Sequence, residues 1–387
     1  MKLNSIMMKP SLLLPLATGV IVAFSGCSSE STSTAPAETS LKEAFAGDFY
    51  VGVALNPRQF VEQDPAVVAR VAHHFNSVTA ENSMKPERVQ PEEGVFTWEA
   101  ADAFVEFGEA HDMFIVGHTL IWHNQTADWM FEDENGDPVS REVLLERMRT
   151  HIQAVVGRYK GRVQAWDVVN EAIEGDGSYR ESLFYQIIGP DYLDYAFRFA
   201  HEVDPDAALY YNDYSLADEP KREGTIRLLK GMIERGVPIH GVGMQQHIHI
   251  PFPDIEAIDR AISEFAALDL KVMVTELDID VLPAAFDHQG ADITLSAELS
   301  EELNPYPDGL PEEVAQRHAE RYAEVFEVYL KHKDVLHRVT FWGLDDANTW
   351  LNNWPVRGRT NYPMLFDREG LPKPAFDAVI EVAREDG

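Results

Sequence analysis

The sequence predicts an α/β protein of the (β/α)8 TIM-barrel type, folded as a single domain. Three observations lead there. Eight short apolar runs rich in β-branched and aromatic residues recur along the 387 residues. Amphipathic stretches with helical spacing separate them, the alternation that yields a parallel sheet. Almost every apolar run ends in polar or charged residues, and a barrel gathers its functional groups at the C-terminal ends of its strands.

In chain order, the first stretch lies outside the fold. Lys2 and Lys9 precede an apolar run over 12–24 that Pro15 and Gly19 interrupt, and Phe24-Ser25-Gly26-Cys27 follows. Residues 1–26 have the composition of a secretory signal peptide, too short to span a bilayer comfortably. Small residues before a cysteine resemble the lipobox of bacterial lipoproteins, although Phe24 replaces the usual leucine, so Cys27 is the expected point of a lipid anchor. Residues 27–40 are rich in Ser, Thr, Ala and Pro and read as a flexible tether. The barrel is expected over 41–387.

The eight runs are 49–55, 76–80, 114–119, 163–169, 208–212, 241–246, 271–276 and 338–343. Helical stretches are expected over 141–159, 192–203, 221–235, 255–267 and 311–332. A doubly wound open sheet is the competing architecture, but no Gly-rich phosphate loop follows the first run. The segment 282–309 is polar, holds three prolines and reads as a long loop on the same rim.

Composition narrows the function. The chain has 32 basic and 65 acidic residues, a formal charge of −33, which argues against nucleic acid or anionic membrane as a partner. Membrane attachment is expected only through Cys27. That residue is the sole cysteine, so no intrachain disulfide forms and a large core must supply the stability.

Two strand ends carry the clearest chemistry. The run Trp166-Asp167-Val168-Val169 ends in Asn170-Glu171, and Val272-Met273-Val274-Thr275 ends in Glu276. Two carboxyls at one barrel rim are what glycosidic cleavage requires. One protonates the departing oxygen, and the other is ionised and attacks the anomeric carbon. Carboxyls a few Å apart resist joint ionisation, which separates those roles. His247-Ile248-His249 has the spacing of metal ligands on one strand, but nothing in the sequence completes such a site, and neither metal nor cofactor is expected.

Six ordered motifs make the resemblance specific. They are Thr79-Ala80-Glu81-Asn82-Ser83-Met84-Lys85, Gly117-His118-Thr119-Leu120-Ile121-Trp122-His123, Trp166-Asp167-Val168-Val169-Asn170-Glu171, Gly243-Met244-Gln245-Gln246-His247, Thr275-Glu276-Leu277-Asp278 and Phe341-Trp342-Gly343-Leu344. From about residue 45 to the C-terminus the chain resembles a glycoside hydrolase family 10 xylanase. The resemblance implies the (β/α)8 fold and endo-cleavage of β-1,4-xylan with retention. It implies Glu171 as acid/base and Glu276 as nucleophile, His247 bonded to the nucleophile, Asp278 holding His247, and Asn170 on the sugar 2-OH. Gln245 is expected on the same sugar or the nucleophile. Lys85 and His118 are implied at the sugar before the cut, and Glu81 and Asn82 at the next one out. Trp122, Trp342 and Trp350 are expected to stack on pyranose faces or wall the pocket, a tryptophan pair crowding the place of a hexose hydroxymethyl group. Tyr214, Arg359 and Asn361 are expected nearby.

Other readings stay open at this point. Another retaining barrel glycosidase (a cellulase, mannanase or exo-xylobiosidase) needs the same two carboxyls, and a surface glycan-binding lipoprotein needs only the aromatic groove. Trp166 reads as core, Asp167 and Asp213 as internal hydrogen-bond anchors, His73-His74 as a solvated pair on a surface helix. A tethered monomer is the expected state.

Overall fold

The computed structural model describes residues 39–285 and 297–386. The expected signal segment 1–26, Cys27 and most of the tether 27–40 lie outside the described residues, as does the middle of the 282–309 loop. Among the described residues nine strands form in order: β1 (Tyr50–Leu55), β2 (Ser77–Ala80), β3 (Phe114–Trp122), β4 (Ala165–Asn170), β5 (Ala208–Asp213), β6 (Gly241–Met244), β7 (His247–His249), β8 (Lys271–Asp280) and β9 (Leu336–Phe341). Eight of them close a parallel ring, β1 to β6 in sequence, β6 then pairing with β8, β8 with β9 and β9 back to β1. The short β7 pairs only with β8, His247 opposite Asp278.

Helices α1 (Leu41–Ala44), α2 (Pro57–Val61), α3 (Pro65–His74), α4 (Pro86–Val89), α5 (Glu99–Ala110) and α6 (Arg141–Arg158) fill the first half. Helices α7 (Leu183–Ile188), α8 (Tyr192–Val203), α9 (Glu219–Glu234), α10 (Ile255–Ala266), α11 (Glu312–Lys331) and α12 (Pro374–Asp386) fill the second. Helix α6 shows how the sequence dictates this. Ser140 caps it by accepting from Val143 N, and Leu144, Met148, Ile152, Val155 and Val156 recur at helical spacing and are buried. Each such side chain contributes about 1.5–3 kcal/mol on burial. Among the described residues, no helix is long and apolar enough to cross a membrane.

The barrel interior is itself packed. Val116, Ala165, Tyr210 and Met273 form an inner cluster, and the fully buried Arg338 lies 5.9 Å from the Tyr210 ring centre. This layer is the floor on which the rim residues stand. On the outer side, Trp166 lies against Gly117, where a Cβ would stand 2.2 Å from the indole. Trp166 is core, as expected, and Gly117 must stay glycine.

The observed elements differ from expectation where polar residues sit inside strands. β8 does not stop at Glu276 but runs to Asp280, because Glu276, Asp278 and Asp280 share one face while Leu277 and Ile279 pack on the other. β3 likewise continues past His118 to Trp122. The expected 241–246 strand breaks at Gln246, whose φ is +62°, and resumes as β7. His73 is exposed, but the expectation of a solvated pair fails at His74. That ring is buried against Phe366 and Phe376, and desolvation lowers its pKa to about 4. The flanks of the 282–309 loop dock on residues 359–362: Arg359 Nη1 donates to Pro283 O (3.1 Å), Thr360 N to Asn304 Oδ1 (2.9 Å) and Tyr362 Oη to Tyr306 O (2.6 Å).

Candidate active site

Asn170 is the last residue of β4, and Glu171 turns sharply away from it with φ +59°. A left-handed backbone at a residue other than glycine costs about 1–3 kcal/mol and persists only where the surroundings enforce it. Here Glu171 N donates to Asn212 O (2.9 Å) and Arg180 Nε donates to Glu171 O (2.8 Å). The carboxyl is only 6% exposed and meets three N–H donors. Trp122 Nε1 reaches Oε2 at 2.9 Å, while Gln245 Nε2 and Asn170 Nδ2 reach Oε1 at 2.9 and 3.2 Å.

Glu276 sits in the middle of β8 in a different environment. Asn212 Nδ2 donates to its Oε1 (2.7 Å), and His247 Nε2 stands 3.2 Å from its Oε2. The other ring nitrogen of His247 is 2.9 Å from Asp278 Oδ2, which also accepts from Trp350 Nε1 (2.8 Å). Burial works against charge on His247, but the Asp278 charge and the bonds to Asp278 and Glu276 outweigh it and push its pKa up to about 10. At neutral pH His247 is therefore an imidazolium that donates to both carboxylates. Burial also opposes charge on Glu276. The His247 bond, the nearby His118 and His247 charges and the Asn212 donation prevail, holding it below the ordinary carboxylate range.

One amide network joins the two glutamates. Asn212 Nδ2 also reaches Asn170 Oδ1 (2.9 Å), and Gln245 Nε2 reaches the same oxygen at 3.2 Å. Thr275 Oγ1 donates to Asn212 Oδ1 (2.6 Å) and thereby sets which way that amide faces. Glu171 and Glu276 are thus tied to the same amides, each with its own set of donors.

The walls complete the pocket. Lys85 Nζ donates to Asn82 Oδ1 and Gln125 Oε1, both at 2.9 Å, and Asn82 Nδ2 donates to Glu81 Oε1 (3.0 Å). Burial lowers the Lys85 pKa, and the charges of Glu276, Glu81 and Glu171 oppose that fall, so the ammonium lies in the field of both glutamates. His118 Nδ1 is 3.0 Å from Asp167 Oδ2, and the His118 ring meets Trp342 edge-on at 5.2 Å. Trp342 is 6.4 Å from His247. Trp350 lies 5.0 Å from His247 and stacks on Trp354 at 4.8 Å.

The residues named from the sequence for catalysis and sugar binding are linked by these contacts; Arg359 and Asn361 stand apart from them. Trp122 uses its N–H on the Glu171 carboxyl, and the Lys85 ammonium lies 4.8 Å from its ring centre. Asp167 and Asp213 are internal anchors, the first for His118, the second for backbone and Lys221. Arg359 and Asn361 hold Asp280 at the end of β8. His249 stacks on Phe252 (4.5 Å), and among the described residues no group of three or more His, Cys, Asp or Glu is placed to hold a metal ion. The sequence assigns no site role to Asn212, Gln125 or Arg180, which the structure bonds to Glu276, Lys85 and the Glu171 carbonyl. Asn212 stands next to last in β5, level with Asn170 on β4, so its position was a signal; Gln125, left-handed in the turn just after β3, offered none.

The His247 charge has a thermodynamic consequence. A folded-state pKa near 10 against an ordinary 6.5 gives stability that is fully present below pH 6.5 and lost as pH rises through about 10. Wild type should therefore lose its stability advantage over His247→Asn across that window, read as denaturant midpoints of both proteins at several pH values. A difference independent of pH would refute the assigned charge.

Residues 40–382 match the family model described as Glycosyl hydrolase family 10. The chain belongs to glycosyl hydrolase family 10. Within the family it is 44% identical over 345 residues to Endo-1,4-beta-xylanase A of Xylanibacter ruminicola, covering 89% of this chain and 94% of that one. It is 43% identical over 350 residues to Endo-1,4-beta-xylanase of Geobacillus stearothermophilus, covering 89% and 98%. Among solved family 10 structures, a GH10 endoxylanase retrieved from a sugarcane soil metagenome superposes with a TM-score of 0.86 at 45% identity, over 88% of this chain and 99% of that one. The family assignment makes this chain a retaining glycoside hydrolase.

Proposed function

We propose that the chain is an endo-1,4-β-xylanase that cuts internal bonds of xylan by double displacement, with Glu171 as acid/base and Glu276 as nucleophile. The observation that carries the assignment is the contrast between the two carboxyls. Glu276 is held as an anion by His247, whereas Glu171 faces neutral amide and indole donors. In the first step the Glu276 carboxylate attacks the anomeric carbon as Glu171 gives its proton to the leaving oxygen. In the second, Glu171 takes a proton from the water that displaces Glu276. Asn170 lies between the two and is assigned to the sugar 2-OH. Lys85, His118, Glu81 and Asn82 are assigned to the hydroxyls of the sugars before the cut. Trp342 and Trp350 are assigned to the wall that crowds a hydroxymethyl group, which favours xylose over glucose.

The test is a comparison of xylan, carboxymethylcellulose and mannan, with the first product anomer followed by NMR. Xylan should be cleaved to a ladder of oligomers, the β-anomer appearing first. Equal or faster turnover of cellulose would sink the xylan assignment, and xylan binding without release of reducing ends would favour a glycan-binding role. We also propose export with lipid anchoring at Cys27, residues 27–40 serving as tether to a monomer. The Lys2/Lys9 start, the apolar run and the small pair before Cys27 support it. Cys27→Ser should abolish fatty-acid labelling of the protein, and persistent labelling would defeat the proposal.

A further inference from the structure

A buried cluster behind Glu171 takes no part in the chemistry described so far. Glu171 needs its left-handed backbone to turn the carboxyl into the pocket, and the turn is gripped from both sides. On one side, Ala172 N donates to Tyr211 Oη (3.0 Å) and Ile173 N to Asp213 Oδ2 (3.3 Å). Tyr211 in turn donates to Asp213 Oδ2. On the other, Arg180 Nε donates to Glu171 O (2.8 Å), and Arg180 Nη2 donates to Tyr214 Oη (2.9 Å).

Lys221, in the first turn of α9, closes the ring between these sides. Its Nζ is 2.7 Å from Asp213 Oδ1 and 3.0 Å from the Tyr214 ring centre, and neither Lys221 nor Asp213 has any exposed surface. Tyr214 N also donates to Asp213 Oδ1 (2.9 Å). The path runs from the Glu171 carbonyl through Arg180, Tyr214, Lys221 and Asp213 to Ile173 N–H directly and to Ala172 N–H by way of Tyr211. None of its members touches the Glu171 carboxyl in the hydrogen bonds and ion pairs described.

A buried ion pair is a weak way to gain stability, because desolvation of both ions offsets their attraction. What it does supply is a fixed geometry, since each ion accepts only a narrow set of partner positions. We propose that the Lys221–Asp213 pair is a positioning device that clamps the left-handed turn and so aims the Glu171 carboxyl at the scissile oxygen. The proposal rests on the reading of Glu171 as acid/base. Lys221 is a positioning residue and not a catalytic one.

Leaving-group dependence tests it. A misaimed acid slows departure of a poor leaving group and leaves a good one nearly untouched, whereas general damage to the fold slows both alike. With Lys221→Met, kcat/KM for phenyl β-xylobioside should fall about 10–100-fold, while that for the 2,4-dinitrophenyl analogue falls less than about threefold. Tyr214→Phe removes a single hydroxyl from the clamp. It should show a smaller split of the same sign, and it keeps the question open to measurement if Lys221→Met does not fold. Parallel losses on both substrates, or no loss on either, would overturn the proposal. Glu171→Ala in the same assay separates the two claims. A full split there with none in the clamp variants refutes the clamp alone; no split there removes the acid/base reading and the clamp with it.

Discussion

Glu276→Ala should reduce xylan hydrolysis by about 10⁴-fold or more, equivalent to over 5 kcal/mol at 1.36 kcal/mol per decade. The size follows from what is removed. Among the described residues no other carboxylate is bonded to His247 Nε2 and Asn212 Nδ2. Asp278 sits on the far nitrogen of the same ring and is also tied to Trp350, so it is not available to replace the nucleophile. The substitution leaves a space the size of a small anion beneath the anomeric carbon. Azide should enter it, restore turnover of an activated aryl xylobioside and give the α-xylosyl azide, inverted relative to substrate. Substantial activity without azide, or a β-azide, would remove Glu276 from the nucleophile's place.

Glu171→Ala should give the opposite signature. Xylan turnover is expected to fall about 10²–10⁴-fold, the usual contribution of a positioned proton donor. The first step on 2,4-dinitrophenyl xylobioside should stay close to wild type, because dinitrophenolate leaves without a proton. The second step is then slow for want of a base, so the glycosyl-enzyme accumulates, KM falls and a burst of dinitrophenolate precedes steady state. Azide needs no base and should relieve this block. Because it attacks the covalent intermediate from the β face, the product is the β-xylosyl azide. The two variants are thus told apart by the stereochemistry of one product, measured by NMR. The same azide anomer from both would break the division of labour between Glu171 and Glu276.

Much of this arrangement was legible in the sequence, for a physical reason. Parallel barrel strands are covered on both faces, so runs such as Val168-Val169 or Val272-Met273-Val274 stand out against their surroundings. The polar residues that interrupt them mark the rim. That same signal misplaced strand ends. Glu276 and His118 read as terminators, yet they lie within β8 and β3, because alternate residues of a rim strand meet polar partners while their neighbours pack in the apolar core. The break at Gln246 was not legible, since a left-handed residue other than glycine has no compositional mark. Nor was the burial of His74, which depends on Phe366 and Phe376 nearly 300 residues away. Asn212 stood in view at a strand end, but its importance depends on reaching Asn170 and Glu276 together, which only the closed ring brings about.

The length of β8 beyond Glu276 bears on how such an enzyme can change over time. The strand ends at Asp280, where Asn361 Nδ2, Arg359 Nη2 and the Leu282 backbone N–H hold the carboxylate. β7 pairs along the same stretch on the other side. Between Glu276 and the start of the next loop there is thus a second point of attachment, independent of the first. Insertions or rewritten sequence after Leu282 should therefore leave the Glu276 carboxylate where it is.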